Sequence, residues 1–137
     1  MSEKHIRGGS REVFLFRNYV VKIPSFENWN CFLRGLLANM IEVTQGKADS
    51  PDYCPVLRWL PFGLGLVMKR AEPLPDDMWP VVVENGHKWD HGCVEFKPDS
   101  FGILDGRPVA IDFGGISPTE SFVIDQYIAR SGLGELR

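Results

Sequence analysis

No stretch of this 137-residue chain approaches the roughly 20 consecutive apolar residues that a membrane span needs. Its apolar blocks are strand-sized, so no membrane association is expected. Cysteine is scarce and odd in number: Cys31, Cys54 and Cys93, widely spaced. That pattern is no disulfide framework and reads as reduced cytosolic thiols. His87, His91 and Cys93 lie close together, but their spacing fits no standard zinc pattern and a fourth ligand is missing. Basic excess is lacking too. A net charge of -3 and a pI near 5.6 argue against a dedicated nucleic-acid binder. There is no internal repeat and no low-complexity tract. Met1 to Arg7 holds no apolar run, so no secretory signal is expected and the expected location is cytoplasmic.

Apolar residues make up 44% and charged residues 24%, values ordinary for a globular protein. The length suits one domain, 1–137, able to bury a core without staples. Ten prolines and fourteen glycines cut the chain into short elements. Val13 to Ile23 reads as two strands turning at Arg17-Asn18, because asparagine tolerates positive φ. Ser25 to about Thr44 reads as the one long helix, with Ser25 as its N-cap. Trp29, Phe32, Leu33, Leu36, Leu37 and Met40 recur at helical spacing and form one apolar stripe. Val56–Leu60 and Leu64–Lys69 read as strands joined around Pro61-Phe62-Gly63, followed by a proline hinge over Glu72 to Asp77. A short helix capped by Asp76 or Asp77 then runs to Glu84 and stops at Asn85-Gly86. Ser100–Leu104 and Pro108–Asp112 form a hairpin about Asp105-Gly106. Ser117-Pro118-Thr119-Glu120 is a capping box that opens a last helix reaching Arg130. Strands cluster with one long helix in the first half, which is an α+β layout.

This order, with the residues at its joints, resembles the protein-kinase-like superfamily, which includes protein kinases, small-molecule phosphotransferases and very short bacterial or phage relatives. The likeness runs from about Gly8 to Gly115. Its most specific block is Glu95-Phe96-Lys97-Pro98-Asp99-Ser100-Phe101-Gly102-Ile103-Leu104 followed by Asp112-Phe113-Gly114. The resemblance implies a minimal kinase-like fold: a small antiparallel-sheet lobe over about 1–71 with one long helix, and a strongly truncated second lobe over 72–137. It implies ATP and Mg²⁺ as cofactors. In Val20-Val21-Lys22-Ile23, Lys22 matches the lysine that holds the α- and β-phosphates. Glu42 is its glutamate partner by separation. At 100° per residue Glu42 falls away from the apolar stripe, which leaves it either paired with Lys22 or facing solvent. Gly8-Gly9-Ser10 matches the phosphate-covering loop or is a flexible lead. Met68 takes the gatekeeper position, and the backbone near Lys69 to Ala71 would meet the adenine. Asp112 would hold Mg²⁺, with Ser100 at the position of the family's second metal ligand, an asparagine.

Two departures are plain. The catalytic aspartate position, two residues before Lys97, reads Glu95, and the asparagine position reads Ser100. Glutamate is one methylene longer, and misplacing a base by such a distance costs about a hundredfold. Only 25 residues follow Asp112, so the substrate platform is expected to be absent or much reduced. These departures favour a pseudokinase, a kinase fold that acts by binding a protein partner, of the sort a phage or mobile element directs at a host factor. The alternative is a weak ATP/Mg²⁺-dependent phosphotransferase using Lys22, Glu42 and Asp112 with Glu95 as base. Trp59, Trp79 and Trp89 fall in or near turns and read first as ordinary partly covered tryptophans; if one anchors a partner, Trp79 and Trp89 are the choices, because they bracket the segment where a full kinase has more protein. A chance Asp-Phe-Gly in an unrelated α+β protein would instead leave Lys22 and Asp112 far apart.

Overall fold

The computed structural model describes residues 4–7 by their backbone and residues 9–46, 50–89 and 94–114 in full. The chain first builds a five-stranded antiparallel sheet from β1 (Lys4–Arg7), β2 (Arg11–Leu15), β3 (Tyr19–Pro24), β4 (Val56–Trp59) and β5 (Leu66–Lys69), in the order β1-β2-β3-β5-β4. The helix α1 (Trp29–Gly46) lies between β3 and β4 in sequence. A three-stranded antiparallel sheet follows, β6 (Glu72–Pro73), β7 (Phe101–Leu104) and β8 (Arg107–Ala110), with the short helix α2 (Trp79–Glu84) between β6 and β7. This is the α+β layout read from the sequence, with one long helix. The helix expected over Ser117–Arg130 lies outside the described residues.

Strand alternation decides what faces the helix. Pairing Val13 with Lys22 and Lys22 with Leu66 puts Arg11, Val13 and Leu15 on one face with Val20, Lys22, Pro24, Leu66 and Met68. α1 covers that face. It does so with its small and polar side, Gly35, Ala38, Asn39, Glu42 and Val43, rather than with the apolar stripe. Trp29 and Met40 of the stripe are exposed, and its other members are half-buried. The reason is steric. A Cβ on Gly35 would collide with the Ser10 carbonyl and with Pro24, so only small residues let helix and sheet approach this closely.

Several local readings are corrected. The helix begins at Trp29, not Ser25, because Asn28 Oδ1 accepts the Cys31 amide at 2.9 Å and caps it, while Ser25 is buried and donates its amide to the Ser10 carbonyl at 2.9 Å. β1 precedes β2, so Gly9 and Ser10 join two strands and are no free lead. The proline hinge contributes a strand, since Glu72 and Pro73 pair with Ile103 and Gly102. β8 stops at Ala110, which places Asp112 past the hairpin. Asp105 and Gly106, at φ 53° and 80°, make the expected turn.

The two sheets share one core. Tyr53 forms a parallel bridge to Ala110, and Cys54 donates its amide to the Ala110 carbonyl at 2.9 Å. Tyr53 packs edge-on against Phe113 at 5.1 Å, and Trp89 against Phe101 at 4.8 Å. Burying each such ring contributes roughly 2–3 kcal/mol. Trp89 is only 4% exposed and donates Nε1–H to the Asp52 carbonyl at 2.7 Å, while Trp79 is half-buried against Phe96 and Phe101. Neither is a free anchor; the exposed tryptophans are Trp29 and Trp59.

Gly63 and Gly106 separate backbone freedom from space. Both have positive φ, but a Cβ on Gly63 would strike the Leu36 carbonyl, whereas nothing lies near one on Gly106. Gly63→Ala should therefore cost about 3 kcal/mol or more and Gly106→Ala about 1 kcal/mol, read from urea unfolding midpoints. Equal costs would mean that α1 does not press on the β4–β5 loop as described.

Candidate functional site

Four charged side chains from four segments meet where the large sheet, α1 and the Asp112-Phe113-Gly114 turn touch. Lys22 is held inward by the alternation of β3. Asn39 and Glu42 are three residues apart and so share one face of α1. Arg11 opens β2 directly after the Gly9-Ser10 turn. Asp112 follows β8.

Glu42 is fully buried and lies at the centre. Lys22 Nζ sits 2.7 Å from its Oε1 and donates a second bond to the Ile111 carbonyl at 2.7 Å. The Arg11 guanidinium straddles the same carboxylate, Nη1 at 2.9 Å from Oε1 and Nη2 at 2.9 Å from Oε2. Nη2 also reaches Asp112 Oδ1 at 2.9 Å, and Nη1 reaches Asn39 Oδ1 at 3.2 Å. The Phe113 amide donates to Glu42 Oε2 at 3.0 Å. Asn39 turns its Nδ2 to the Lys22 carbonyl at 3.3 Å and the Gly63 carbonyl at 2.9 Å. Helix, sheet and turn are thus cross-linked through one carboxylate.

Two cations face two carboxylates, so the cluster is neutral as a whole. Burial alone would push the Glu42 carboxyl up. The Lys22 ammonium and the Arg11 guanidinium, with their hydrogen bonds, overcome this and hold it at about 2. Lys22 is drawn below the ordinary ammonium range, first by burial and then by Arg11, with Glu42 opposing. For Arg11, burial pulls down and the two carboxylates more than restore it, so it stays charged.

The structure brings Lys22, Glu42 and Asp112 together, and it disposes of the solvent-facing alternative for Glu42. The separation that a chance Asp-Phe-Gly would show is absent, since Lys22 touches the residue before Asp112. Ser100 is nearby and fully buried: its carbonyl accepts the Ile111 amide at 2.8 Å and the Asp112 amide at 3.4 Å, and its hydroxyl has no hydrogen-bond partner among the described residues. Met68 lies in the core on β5, next to Val20 and Val56. Beside Ala71 the hinge edge is already engaged. The Lys69 carbonyl accepts from Cys54 Sγ at 2.9 Å, and the amides of Lys69 and Arg70 donate to the carbonyls of Pro55 and Asn18. Burial pushes the Cys54 thiol up to about 11, so it stays protonated. Glu95 and Lys97 are exposed and pair with each other at 3.3 Å, and no hydrogen bond or ion pair joins them to the cluster among the described residues.

Arg11 and Asn39 went unread in the sequence. A signal existed for Arg11: it stands at i, i+2, i+4 spacing with Val13 and Leu15, on the inward face of a strand. Asn39 lies off the apolar stripe and gave none.

The donor set forms no metal cage of its own. Among the described residues no group of three His, Cys, Asp or Glu could hold a metal. Asp112, whose amide donates to the Ser100 carbonyl, has its Oδ1 already bound to a guanidinium. Mg²⁺ takes six oxygens in near-ideal octahedral geometry, several of them from water and substrate phosphate, so protein would supply it here chiefly through Asp112.

Neither a protein-family model nor a curated protein sequence matches the chain. Among solved structures it is similar to the crystal structure of Cex1p, with a TM-score of 0.51 and 16% identity over 96% of this chain and 30% of that one. It is also similar to WbdD, crystallised with the kinase inhibitor LY294002, with a TM-score of 0.43 and 20% identity over 99% of this chain and 38% of WbdD. The chain thus spans about a third of the length of these solved structures. The likeness to Cex1p is one of fold alone.

The depressed Glu42 carboxyl makes stability depend on pH. A group whose folded pKa lies below its unfolded value stabilises fully above the unfolded value, and that contribution is lost as pH falls through the folded one. Between pH 5 and pH 2 the wild type should lose about 3 kcal/mol through Glu42 alone. Urea unfolding of Glu42→Gln over the same range should give a correspondingly shallower slope. Parallel slopes would place the acid-sensitive charge elsewhere.

Proposed function

We propose that the chain is a kinase-like fold reduced to a binding module, a pseudokinase that acts by contacting a protein partner. The observation that carries this reading is the Arg11 guanidinium on Asp112 and Glu42. Phosphoryl transfer is catalysed by positioning and by positive charge aimed at the phosphates. In this cluster both cations are committed to protein carboxylates, so no positive surplus is left for a tetra-anionic nucleotide. The residues at the base and Lys-Pro positions, Glu95 and Lys97, satisfy each other at the surface. The Lys69 carbonyl at the hinge is engaged by Cys54.

A surface suited to a partner lies instead along β4 and the loop to β5. Leu57, Trp59, Leu60, Phe62 and Leu64 are 43–77% exposed, five large apolar side chains within eight residues. Phe62, the most exposed, is held at φ 62°, a conformation costly for a bulky residue. Beside it a groove of about 550 Å³ is lined by Val21, Ile23, Val67, Trp59 and Leu60. From Tyr53 to Ala71 there is no acidic residue, while Arg58 and Lys69 are exposed. The partner that matches is therefore an apolar protein segment with an acidic rim.

The alternative, a weak ATP/Mg²⁺-dependent phosphotransferase, is favoured by the Lys22–Glu42 pair at 2.7 Å, the contact the family uses to aim its lysine. The two readings separate in a thermal melt with millimolar ATP and Mg²⁺. A ligand bound at a hundredfold excess over its Kd stabilises the native state by about 2.7 kcal/mol. The binding-module reading predicts an unchanged midpoint. A rise that disappears in Lys22→Ala would make the nucleotide site real and overturn the closed-site reading, and turnover of ATP in a phosphoryl-transfer assay would then establish the phosphotransferase.

A further inference from the structure

Resting on the reading of this site as closed to phosphoryl transfer, we propose that Arg11 is a built-in cation that takes the place of a metal ion. It locks α1, the large sheet and the Asp112-Phe113-Gly114 turn into one fixed arrangement.

The guanidinium is coordinated as a bound cation would be. Its acceptors are both oxygens of Glu42, Oδ1 of Asp112 and Oδ1 of Asn39, all oxygen and all between 2.9 and 3.2 Å. They come from α1 and from the turn after β8, whereas Arg11 itself comes from the start of β2. The side chain is almost wholly buried. A divalent ion at Asp112 would stand beside both Arg11 and Lys22, giving four positive charges against two carboxylates, of which Glu42 is fully buried and Asp112 opens to solvent. Guanidinium excludes that state. It carries a fixed single charge at all accessible pH values, presents a planar fork that matches a carboxylate, and is tethered to the chain, so it binds with no dissociation. The turn that leads into Arg11 is pinned as well, because the Ser10 carbonyl accepts the Ser25 amide.

The closed arrangement is therefore set by sequence rather than by ligand concentration. A partner that reads the surface of α1 or β4 meets the same geometry whether or not metal or nucleotide is present.

The test is Arg11→Ala, with Mn²⁺ as the probe. Removing the guanidinium leaves an oxygen-lined gap between Glu42, Asn39 and Asp112. The melting midpoint of Arg11→Ala should fall, and millimolar Mn²⁺ should recover at least half of the loss. The wild type should not respond to Mn²⁺, nor should Arg11→Ala combined with Asp112→Asn. A wild type that responds as the variant does, or an Arg11→Ala that ignores Mn²⁺, overturns the proposal. If Arg11→Ala does not fold, Asp112→Asn in the otherwise native chain decides. Removing one end of a latch lowers the midpoint, whereas neutralising an acid poised for a metal leaves it unchanged or raises it. Because the probe is the metal alone, nucleotide binding by the wild type would defeat the pseudokinase reading without being mistaken for this outcome.

Discussion

Glu42 carries a full negative charge at a point that solvent does not reach, and the rest of the molecule is organised around satisfying it. An uncompensated buried carboxylate would either take up a proton or unfold its surroundings. Here four donated hydrogen bonds or ion pairs converge on it, from Lys22, from both guanidinium nitrogens of Arg11 and from the Phe113 amide, two to each of its oxygens. Because those donors sit on β3, on β2 and in the turn beyond β8, the pairing that stabilises the charge also fixes the relative positions of the two sheets and the helix. Buried ionic networks of this kind add specificity more dependably than they add stability.

The same demand explains the orientation of α1. To reach both Lys22 and Arg11 the helix must lie close to the sheet, and Gly35 and Ala38 permit that approach. Once the small and polar side faces inward, the apolar stripe has to face outward or sideways. The exposure of Trp29 and Met40 on α1 is the consequence. The exposed apolar residues of α1 and the closed polar cluster are in this way two sides of one packing choice.

Much of the fold was legible in the sequence. The strand runs, the Asp105-Gly106 turn and the end of α2 at Asn85 carry strong local signals, and the structure has each of them. Lys22, Glu42 and Asp112 were found through their spacing in a family-like order. The burial of Glu42 was not legible, because periodicity reports which side of a helix is apolar and says nothing about a polar side that has charges to meet. Arg11 was missed for a related reason: an arginine at the start of a strand is usually solvated, so its spacing with Val13 and Leu15 was a weak signal until the register of β2 on β3 put it on the face toward Glu42. The burial of Trp89 agrees with its reading as an ordinary covered tryptophan, but its indole bond to the distant Asp52 carbonyl, which removes it as a candidate anchor, is a contact that no local pattern announces.

The central claim is that Arg11 and Glu42 act as one unit that holds the helix to the sheet. A double-mutant cycle with Arg11→Gln, Glu42→Gln and the combined variant, followed by urea unfolding at neutral pH, measures their coupling directly. The account predicts a coupling of about 2 kcal/mol, with the double variant more stable than the sum of the single losses implies. A coupling below about 0.5 kcal/mol would mean that the two charges are satisfied independently and would contradict it.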